Sequence, residues 1–528
     1  MAIRKLVLFI FCWIFGAVFF STQANAIFIN EAKTLDFAGK LQSRLSVRTT
    51  DSTGFTQLGT DSGDVVQHRN LLYLQVDHDL KGFRPLGLKL KYHLLGRFLF
   101  EGIYDYGPSQ FQDLKDFNKD DIEDVAEDIE LWEAYLDISR GPLFVRIGRQ
   151  NLAWGETDVF RLMDLINPLD DTFGGIFEDL DDRRVPLKMI RGSYNFGTVG
   201  PIDAFALEGF WVPGQLEDEI APQAPFGTPY SPPVLPVAWG SIPGVVDFNE
   251  AHRYLDDDNG SSRYGFRCQG VVGQNLTLSL GHFKSYLDLP AVVFDMTQQF
   301  IPLPPPAAPI PAQVMLWKTF PEVRVTGLSM NYYEMNTDMV IRAEVAYFDD
   351  EPVFIPEVNT PGPMLIPTGA PPPAPPVFPQ FRSGEIPTKD FVKFSIGLDK
   401  DQWIRWLNKK KTFLISFQYF GTYCRDYDNR MRYAVPDTPD PSTFNIRHKR
   451  FEQTFTLLTN TLYLQGNIMP ELIAAYDPRG ALMFMPSISY RHEPFMLKLQ
   501  YANISGSFVG FGFFKDRDQL SLTATWYW

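Results

Sequence analysis

Charged residues of both signs are concentrated in one short run of the chain, between positions 146 and 164. Side chains of this kind can pair with each other and fix a loop, or line a constriction that selects solutes by charge. Mutual pairing is the simpler interpretation, and the two roles are compatible. The candidates for a lumen or constriction site are Arg146, Arg149, Glu156, Asp158, Arg161 and Asp164.

These candidates begin on a predicted strand over residues 143–150 and continue into the connection after it. There the sequence predicts a Trp-Gly turn and a short helix from about Thr157 to Ile166. Thr157 is a suitable N-cap, and the negative charge of Asp158 suits the helix dipole. Pro168 ends the helix, because the residue before a proline avoids the α conformation.

Enzyme motifs are absent from the sequence. It has no G-x-S-x-G elbow, no H-E-x-x-H helix and no P-loop. Adjacent residues such as Asp77 and His78 face opposite sides of a strand and cannot act together. We therefore expect no catalysis and no cofactor. The net charge of −15 also argues against nucleic-acid binding.

Metal binding stays unassigned. Acidic runs at 113–130, 178–182 and 256–258 offer the oxygen ligands that hard cations prefer. A solvated acidic surface is the simpler interpretation of these runs. The seven histidines are scattered singly, and Cys268 and Cys424 lie on strands that we do not expect to be neighbours.

The amino terminus has the features of a cleaved secretory signal. Residues 1–26 combine Arg4 and Lys5, an apolar run, and an Ala-Asn-Ala ending. Beyond them, no stretch approaches the roughly 18 apolar residues of a membrane-spanning helix. Yet 15% of the chain is aromatic, as expected for a β-barrel whose rims carry aromatic girdles.

Strands with a period of two recur along the chain. In the last one, Leu520, Leu522 and Trp526 share a face opposite Ser521 and Thr523. This alternation predicts an outer face in lipid and an inner face in water. We interpret the terminal aromatic residue, Trp528, as an assembly signal.

The whole chain predicts an all-β fold, a single antiparallel transmembrane barrel over residues 27–528 with about 18 strands, or 16 as the next choice. Short turns alternate with long connections, so short turns would face the periplasm and long loops the exterior. The long connections include Pro-rich segments at 222–243, 302–311 and 352–379, because proline cannot donate to a sheet ladder. We expect the helix-bearing loop after Gln150 to fold into the lumen.

Assigning faces to the strands also predicts a basic lumen. Opposite the aliphatic side chains lie more cations than carboxylates, an arrangement that favours anions. A register error of one residue would move a strand's charges to the other face. The basic candidates are Arg44, Arg48, Lys89, Lys91, Arg263, Arg267, Arg342, Lys393 and Lys498, together with Arg146.

The run from Arg146 to Asp170, RIGRQNLAWGETDVFRLMDLINPLD, resembles the signature of a known family. The family comprises large proteobacterial outer-membrane β-barrels of unknown function (domain of unknown function 1302 type), associated with exporters of the resistance-nodulation-division class. The preceding strand ELWEAYLDI, residues 130–138, supports the resemblance, and there is a distant likeness to alginate-export barrels. The resemblance implies the fold and the membrane; it implies transport only weakly.

Two functions remain open from sequence. The first is an outer-membrane channel or transporter for small, amphipathic or anionic solutes in a Gram-negative bacterium, as part of an export route. The second is a non-conducting structural or binding barrel: an adhesin, a receptor or a sheath around a partner protein. The expected partners are outer-membrane lipid and lipopolysaccharide, the barrel-assembly machinery, and a periplasmic or inner-membrane exporter, with no nucleic acid.

Overall fold

The computed structural model describes residues 27–528 except 29, 31, 52–59, 82–86, 118, 215–220, 226, 232–245, 254–261, 299–311, 360–384 and 434–445. The expected signal segment, the acidic run 256–258 and the Pro-rich segment 302–311 lie outside the described residues. So do residues 232–243 and 360–379 of the other two Pro-rich segments.

Eighteen strands form a closed antiparallel barrel, which confirms the predicted fold class and strand number. Each barrel strand pairs with the next along the chain, and β22 pairs with β2 to close the ring. The barrel strands are β2 (Leu35–Arg48), β3 (Val65–Asp79), β4 (Lys89–Glu101), β5 (Glu127–Arg140), β6 (Leu143–Gln150), β7 (Leu187–Val199), β8 (Ile202–Val212), β10 (Arg263–Val272), β11 (Leu276–Tyr286), β14 (Glu322–Glu334), β15 (Met339–Pro352), β16 (Thr388–Gln402), β17 (Phe413–Cys424), β18 (Phe451–Thr461), β19 (Ile468–Asp477), β20 (Ala481–His492), β21 (Phe495–Gly506) and β22 (Gln519–Tyr527).

The strand faces follow the predicted alternation. On β22, Leu520 and Leu522 are exposed, whereas Ser521, Thr523 and Thr525 are buried inside the ring. An apolar outer face and a polar inner face are the pattern of a barrel that lies in lipid. Among the described residues, no helix has the length and hydrophobicity needed to cross a bilayer.

The two ends of the barrel differ in their connections. At the end we call the short-turn end, strands are joined by brief turns such as 141–142 and 273–275. We call the opposite end the long-loop end, and most of the elements outside the barrel wall lie there. The exceptions include β1 (Ile27–Phe28), which pairs with β2, and a 3-10 turn at Leu464–Gly466. The elements at the long-loop end are β9 (Val246–Arg253), β12 (Ala291–Gln298) and β13 (Ala312–Thr319) in a small separate sheet, helices Ile103–Tyr106, Ser109–Phe117, Lys119–Ala126 and Pro356–Asn359, and the 3-10 turn Gly510–Phe514. Helix Leu180–Arg183 and the 3-10 turn Gly175–Phe177 lie inside the ring, in the connection between β6 and β7.

Residues 151–186, which we call the inward loop, connect β6 to β7 and enter the lumen. The predicted helix over Thr157–Ile166 is wrong, because this segment has no helical hydrogen-bond pattern. Side chains of the barrel wall bind backbone groups in and beside this segment: Glu344 accepts from the Met163 amide, which a helix would pair internally, and from the Glu156 amide, and Arg342 donates to the Glu156 carbonyl. The helical structure of this loop lies further on, at Gly175–Phe177 and Leu180–Arg183.

Part of one Pro-rich segment also folds inward. Tyr230 is 6% exposed, and its hydroxyl donates to Gln519 on the inner face of β22. The Arg48 guanidinium donates to the Pro229 carbonyl over 3.1 Å. The described part of the 222–243 segment therefore lies within the mouth of the barrel and not only on its outer surface.

Candidate functional site

The inward loop is closed at its base by Asn167, which is fully buried. The Asn167 amide donates to the carbonyls of Gln150 and Val185, and its oxygen accepts from the Leu152 amide over 2.9 Å. One side chain thus joins the two ends of the loop. This clasp lets the segment between them project as a unit.

At its deepest point the loop reaches Arg342, the fourth residue of β15 from the short-turn end. The Arg342 guanidinium donates to both carboxylate oxygens of Asp158, over 2.9 Å at Oδ1. Gln418 Nε2 donates to Asp158 Oδ2 over 2.9 Å, and Ser416 Oγ approaches the same oxygen at 3.5 Å. The other edge of the guanidinium contacts Asp399, with Nε 2.6 Å from Oδ2.

Neighbouring wall residues also hold the loop backbone. Glu344 is 3% exposed and accepts from the Glu156 amide. Arg161 of the loop pairs with Asp288, which lies in the connection after β11, and donates to the Asn167 carbonyl within the loop. These contacts orient the segment that carries Asp158.

A second set of charged contacts holds the loop against the opposite wall. Glu178 accepts from Arg44 of β2 over 2.7 Å and from Gln67 of β3 over 3.4 Å. Asp182 pairs with Lys40 of β2 at 3.3 Å, and Asp179 lies 4.0 Å from Lys498 of β21. Because β2 is the first barrel strand and β15 the eleventh, the loop spans nearly the full width of the lumen.

Two apolar clusters fill the space around these contacts. In the first, Trp154, Leu162, Met163 and Ile166 pack on inward side chains of β7–β16, with Trp154 edge-on to Phe210 at 5.2 Å. The second joins Phe177 to inward side chains of β19–β21, with Phe160 packed against it. The loop is therefore held by apolar burial as well as by charge.

The loop carries nine carboxylates and three arginines, a net charge of −6. Burial raises the pKa of Glu178, although the nearby Arg44 and Arg69 guanidinium groups act in the opposite direction. Burial likewise raises the pKa of Asp164 against the effect of Arg184. An acidic loop thus lies in a lumen whose wall supplies the cations.

The six constriction candidates are distributed over different places. Asp158 contacts the wall at Arg342, and Arg161 contacts Asp288 in the connection after β11. Asp164 contacts Arg184 at the base of the inward loop. The Glu156 backbone binds Glu344 and Arg342. Arg146 and Arg149 remain on β6, where they pair with Asp137 and Glu130 of β5.

The basic candidates lie on the lumen-facing side of their strands, mostly beside acceptors. Lys91 pairs with Asp77, Arg267 with Glu208 and Lys393 with Glu351, so carboxylates accompany many of the cations. The remaining contacts are Arg44–Glu178, Arg48 to the Arg517 and Pro229 carbonyls, Arg263 to the Ile166 carbonyl, Arg342–Asp158 and Lys498–Asp179, while Lys89 is exposed beside Lys91.

Sequence reasoning missed several residues that hold the loop, notably Asn167, Lys40 and Gln67. Gln418 and Ser416 carried a usable signal, since both alternate with outward aromatic residues on β17. Asn167 carried none, because its partners depend on how the loop returns to the barrel. Elsewhere, Asp349, Asp350 and Asp390 bring carboxylate oxygens within 4.8 Å of one another at the long-loop end.

Comparison with protein families gives one match that spans nearly the whole chain. Residues 8–527 match a family described as "Protein of unknown function (DUF1302)". No curated protein matches the chain.

Among solved structures, Acinetobacter baumannii OccAB4 aligns at 8% identity and a TM-score of 0.46, covering 94% of this chain and 100% of that one. The outer membrane protein opdK from Pseudomonas aeruginosa aligns at 9% and 0.43, covering 94% and 98%. Pseudomonas aeruginosa OccK9 (OpdG) aligns at 10% and 0.46, covering 95% and 98%. At such identities and TM-scores, these likenesses do not bear on what the chain does.

Proposed function

The chain belongs to the DUF1302 family of proteins of unknown function, and we propose that it is an outer-membrane channel closed at rest by its inward loop. The apolar outer face fits a lipid environment, in which outer-membrane lipid and lipopolysaccharide are its surroundings. A ring of 18 strands is wide enough for an aqueous lumen unless loops fill it. Here a loop does fill it, so conduction requires that the loop move.

The observation that carries this proposal is the attachment of the loop to opposite walls through exchangeable charged contacts. The Asp158 side chain remains 41% exposed while it contacts Arg342. Ion pairs that water can reach contribute little net stability, about 0–1 kcal/mol each. Such contacts can release the deep end of the loop while the Asn167 clasp keeps its base in place.

The lining suggests the class of solute. The contacts of Arg342 include Gln418 on the face of β17 that carries Phe420, and the Arg44 guanidinium also donates to the carbonyl of Phe177, whose ring belongs to the second apolar cluster. A lumen of both kinds suits small amphipathic or anionic solutes. In an export route, a periplasmic or inner-membrane exporter would deliver them to the short-turn end.

A second function is a non-conducting binding barrel, and the apolar packing of the loop favours it. Trp154 is 3% exposed and Ile166 is fully buried against the wall. Apolar burial on this scale contributes roughly 1.5–3 kcal/mol per large side chain. A loop held this firmly would act as a permanent plug.

Conductance in planar bilayers separates the two functions. Three variants are needed: residues 153–184 replaced by a Gly-Ser linker, Asp158→Arg to repel Arg342, and Asp181→Arg as a control on an exposed part of the same loop. We expect rare openings in the wild type, frequent openings in Asp158→Arg, and a constant large conductance in the linker variant. Silence of the folded linker variant would overturn the channel and support the binding barrel.

A further inference from the structure

The contacts of Asp158 form a complete carboxylate-binding arrangement on the barrel wall. Arg342 donates to both carboxylate oxygens, while Gln418 and Ser416 approach Oδ2 from the inward face of β17, two strands further round the ring. A bidentate guanidinium with a side-chain amide supplies a geometrically specific set of hydrogen-bond donors for a carboxylate. We call Arg342, Ser416 and Gln418 the cradle.

An aromatic subsite adjoins the cradle on the same strand. Phe420 follows Gln418 by two residues and therefore shares its inward face. Phe160 of the loop contacts the Phe420 ring edge-on at 5.8 Å and stacks on Phe511 at 5.9 Å. The loop thus presents a carboxylate and, two residues later, an aromatic ring to matching places on the wall.

This match suggests that a segment of the loop imitates a free molecule. We propose that the cradle binds amphipathic carboxylates, and that Asp158 occupies it as a tethered ligand whose displacement frees the deep end of the loop. The proposal rests on the proposed channel function and names its solute class. Asp399 keeps its contact with the other edge of the Arg342 guanidinium while one carboxylate replaces another. The guanidinium charge therefore stays paired when Asp158 leaves.

The exposure of Asp158 makes exchange feasible. Its side chain is 41% exposed, whereas that of Arg342 is 13% exposed. A tethered ligand competes with an effective concentration on the order of millimolar. A free carboxylate should therefore bind the wild type weakly and bind more tightly once the tethered competitor is removed.

Calorimetry on the full chain in detergent tests this exchange with 4-phenylbutyrate, and with 4-phenylbutanol as the neutral analogue. We expect Asp158→Asn to bind 4-phenylbutyrate about tenfold more tightly than the wild type. Asp181→Asn, which removes the same charge from an exposed part of the loop, should match the wild type. Adding Gln418→Glu or Ser416→Asp to Asp158→Asn should abolish the gain, because each places a like charge in the cradle. A heat-dependent shift of the electrophoretic band checks folding.

The tethered-ligand proposal is overturned if Asp158→Asn binds 4-phenylbutyrate no more tightly than the wild type does. It is also overturned if 4-phenylbutanol binds equally well, or if both cradle substitutions leave the affinity unchanged. A different result, the silence of the linker variant, would overturn the channel proposal. If Asp158→Asn gains affinity but the linker variant is silent, the site stands and the channel falls. If the linker variant conducts and Asp158→Asn gains nothing, the channel stands and the site falls.

Discussion

The Trp528 indole lies directly over Gly39 on the outer face of the seam that closes the barrel. The two backbones exchange hydrogen bonds of 3.1 Å in both directions. A Cβ placed on Gly39 would lie 2.0 Å from the Trp528 ring. The glycine therefore leaves the space that the last aromatic side chain fills, and the two residues form one unit of the seam.

Gly39→Ala should weaken barrel closure, because the added methyl group displaces the Trp528 ring. We expect a lower melting temperature and less protein in the outer membrane, measured by electrophoretic heat-modifiability and membrane fractionation. Deletion of Trp528 should have the same effect and, if this residue is an assembly signal, a larger one on membrane yield. Gly192→Ala is the matched control, since the nearest atom to a Cβ placed on Gly192 is a backbone oxygen 3.8 Å away. Equal melting of the two alanine variants would contradict this account.

Removing the Asn167 clasp should loosen the inward loop while the barrel stays closed. Asn167→Leu keeps the side-chain size but leaves the Leu152 amide and two carbonyls without their partner. Each unsatisfied buried group costs about 1–3 kcal/mol. We expect trypsin to cleave faster after Arg161 than in the wild type, as measured by mass spectrometry of the fragments.

The control for that experiment is Asn275→Leu, at an exposed turn where the side chain donates to the Tyr333 carbonyl. It should leave cleavage after Arg161 unchanged. If Asn167→Leu is cut no faster than the wild type, the clasp does not govern the loop.

Sequence predicted the barrel wall well, because one face of every strand meets a different environment from the other. The alternation along each strand predicts which face meets the lumen, and it places Arg44 of β2 and Arg342 of β15 on the inner face. The loop was harder. Thr157–Ile166 has the caps and stop of a helix, yet the Met163 amide within it binds the wall residue Glu344, 181 positions away. Local propensity cannot report a partner at that separation, so the helix prediction failed there.

Mild acid should not release the loop. Burial is the largest cause of the raised pKa of Glu178, Asp164 and Asp171. A carboxyl whose pKa is raised on folding stabilises the folded loop at low pH and loses that contribution as the pH rises through the raised value. We therefore expect the open probability at pH 5.5 to be no higher than at pH 7.5 in planar bilayers. A clear rise in openings on acidification would show that the ion pairs of the loop, and not the burial of these three carboxyl groups, govern its release.

Charge selectivity should depend on whether the loop is present. With the loop in place, its net charge of −6 lies among the basic side chains of the wall. Replacing residues 153–184 by a Gly-Ser linker removes the carboxylates that contact Lys40, Arg44 and Lys498. The freed cations then face the lumen, and rings of basic residues favour anions.

Reversal potentials in a salt gradient measure this change. We expect weak selectivity in wild-type openings and a clear anion preference in the linker variant. Arg44→Gln with Lys498→Gln in that variant should reduce the preference, because these two cations lose their loop carboxylates and, within the described part of the chain, pair with no carboxylate on the wall. Arg146→Gln is the matched control, since Asp137 neutralises Arg146 whether or not the loop is there. Cation selectivity of the linker variant would mean that wall carboxylates such as Asp399 and Glu208 dominate the lumen, and the basic-lumen hypothesis would then be wrong.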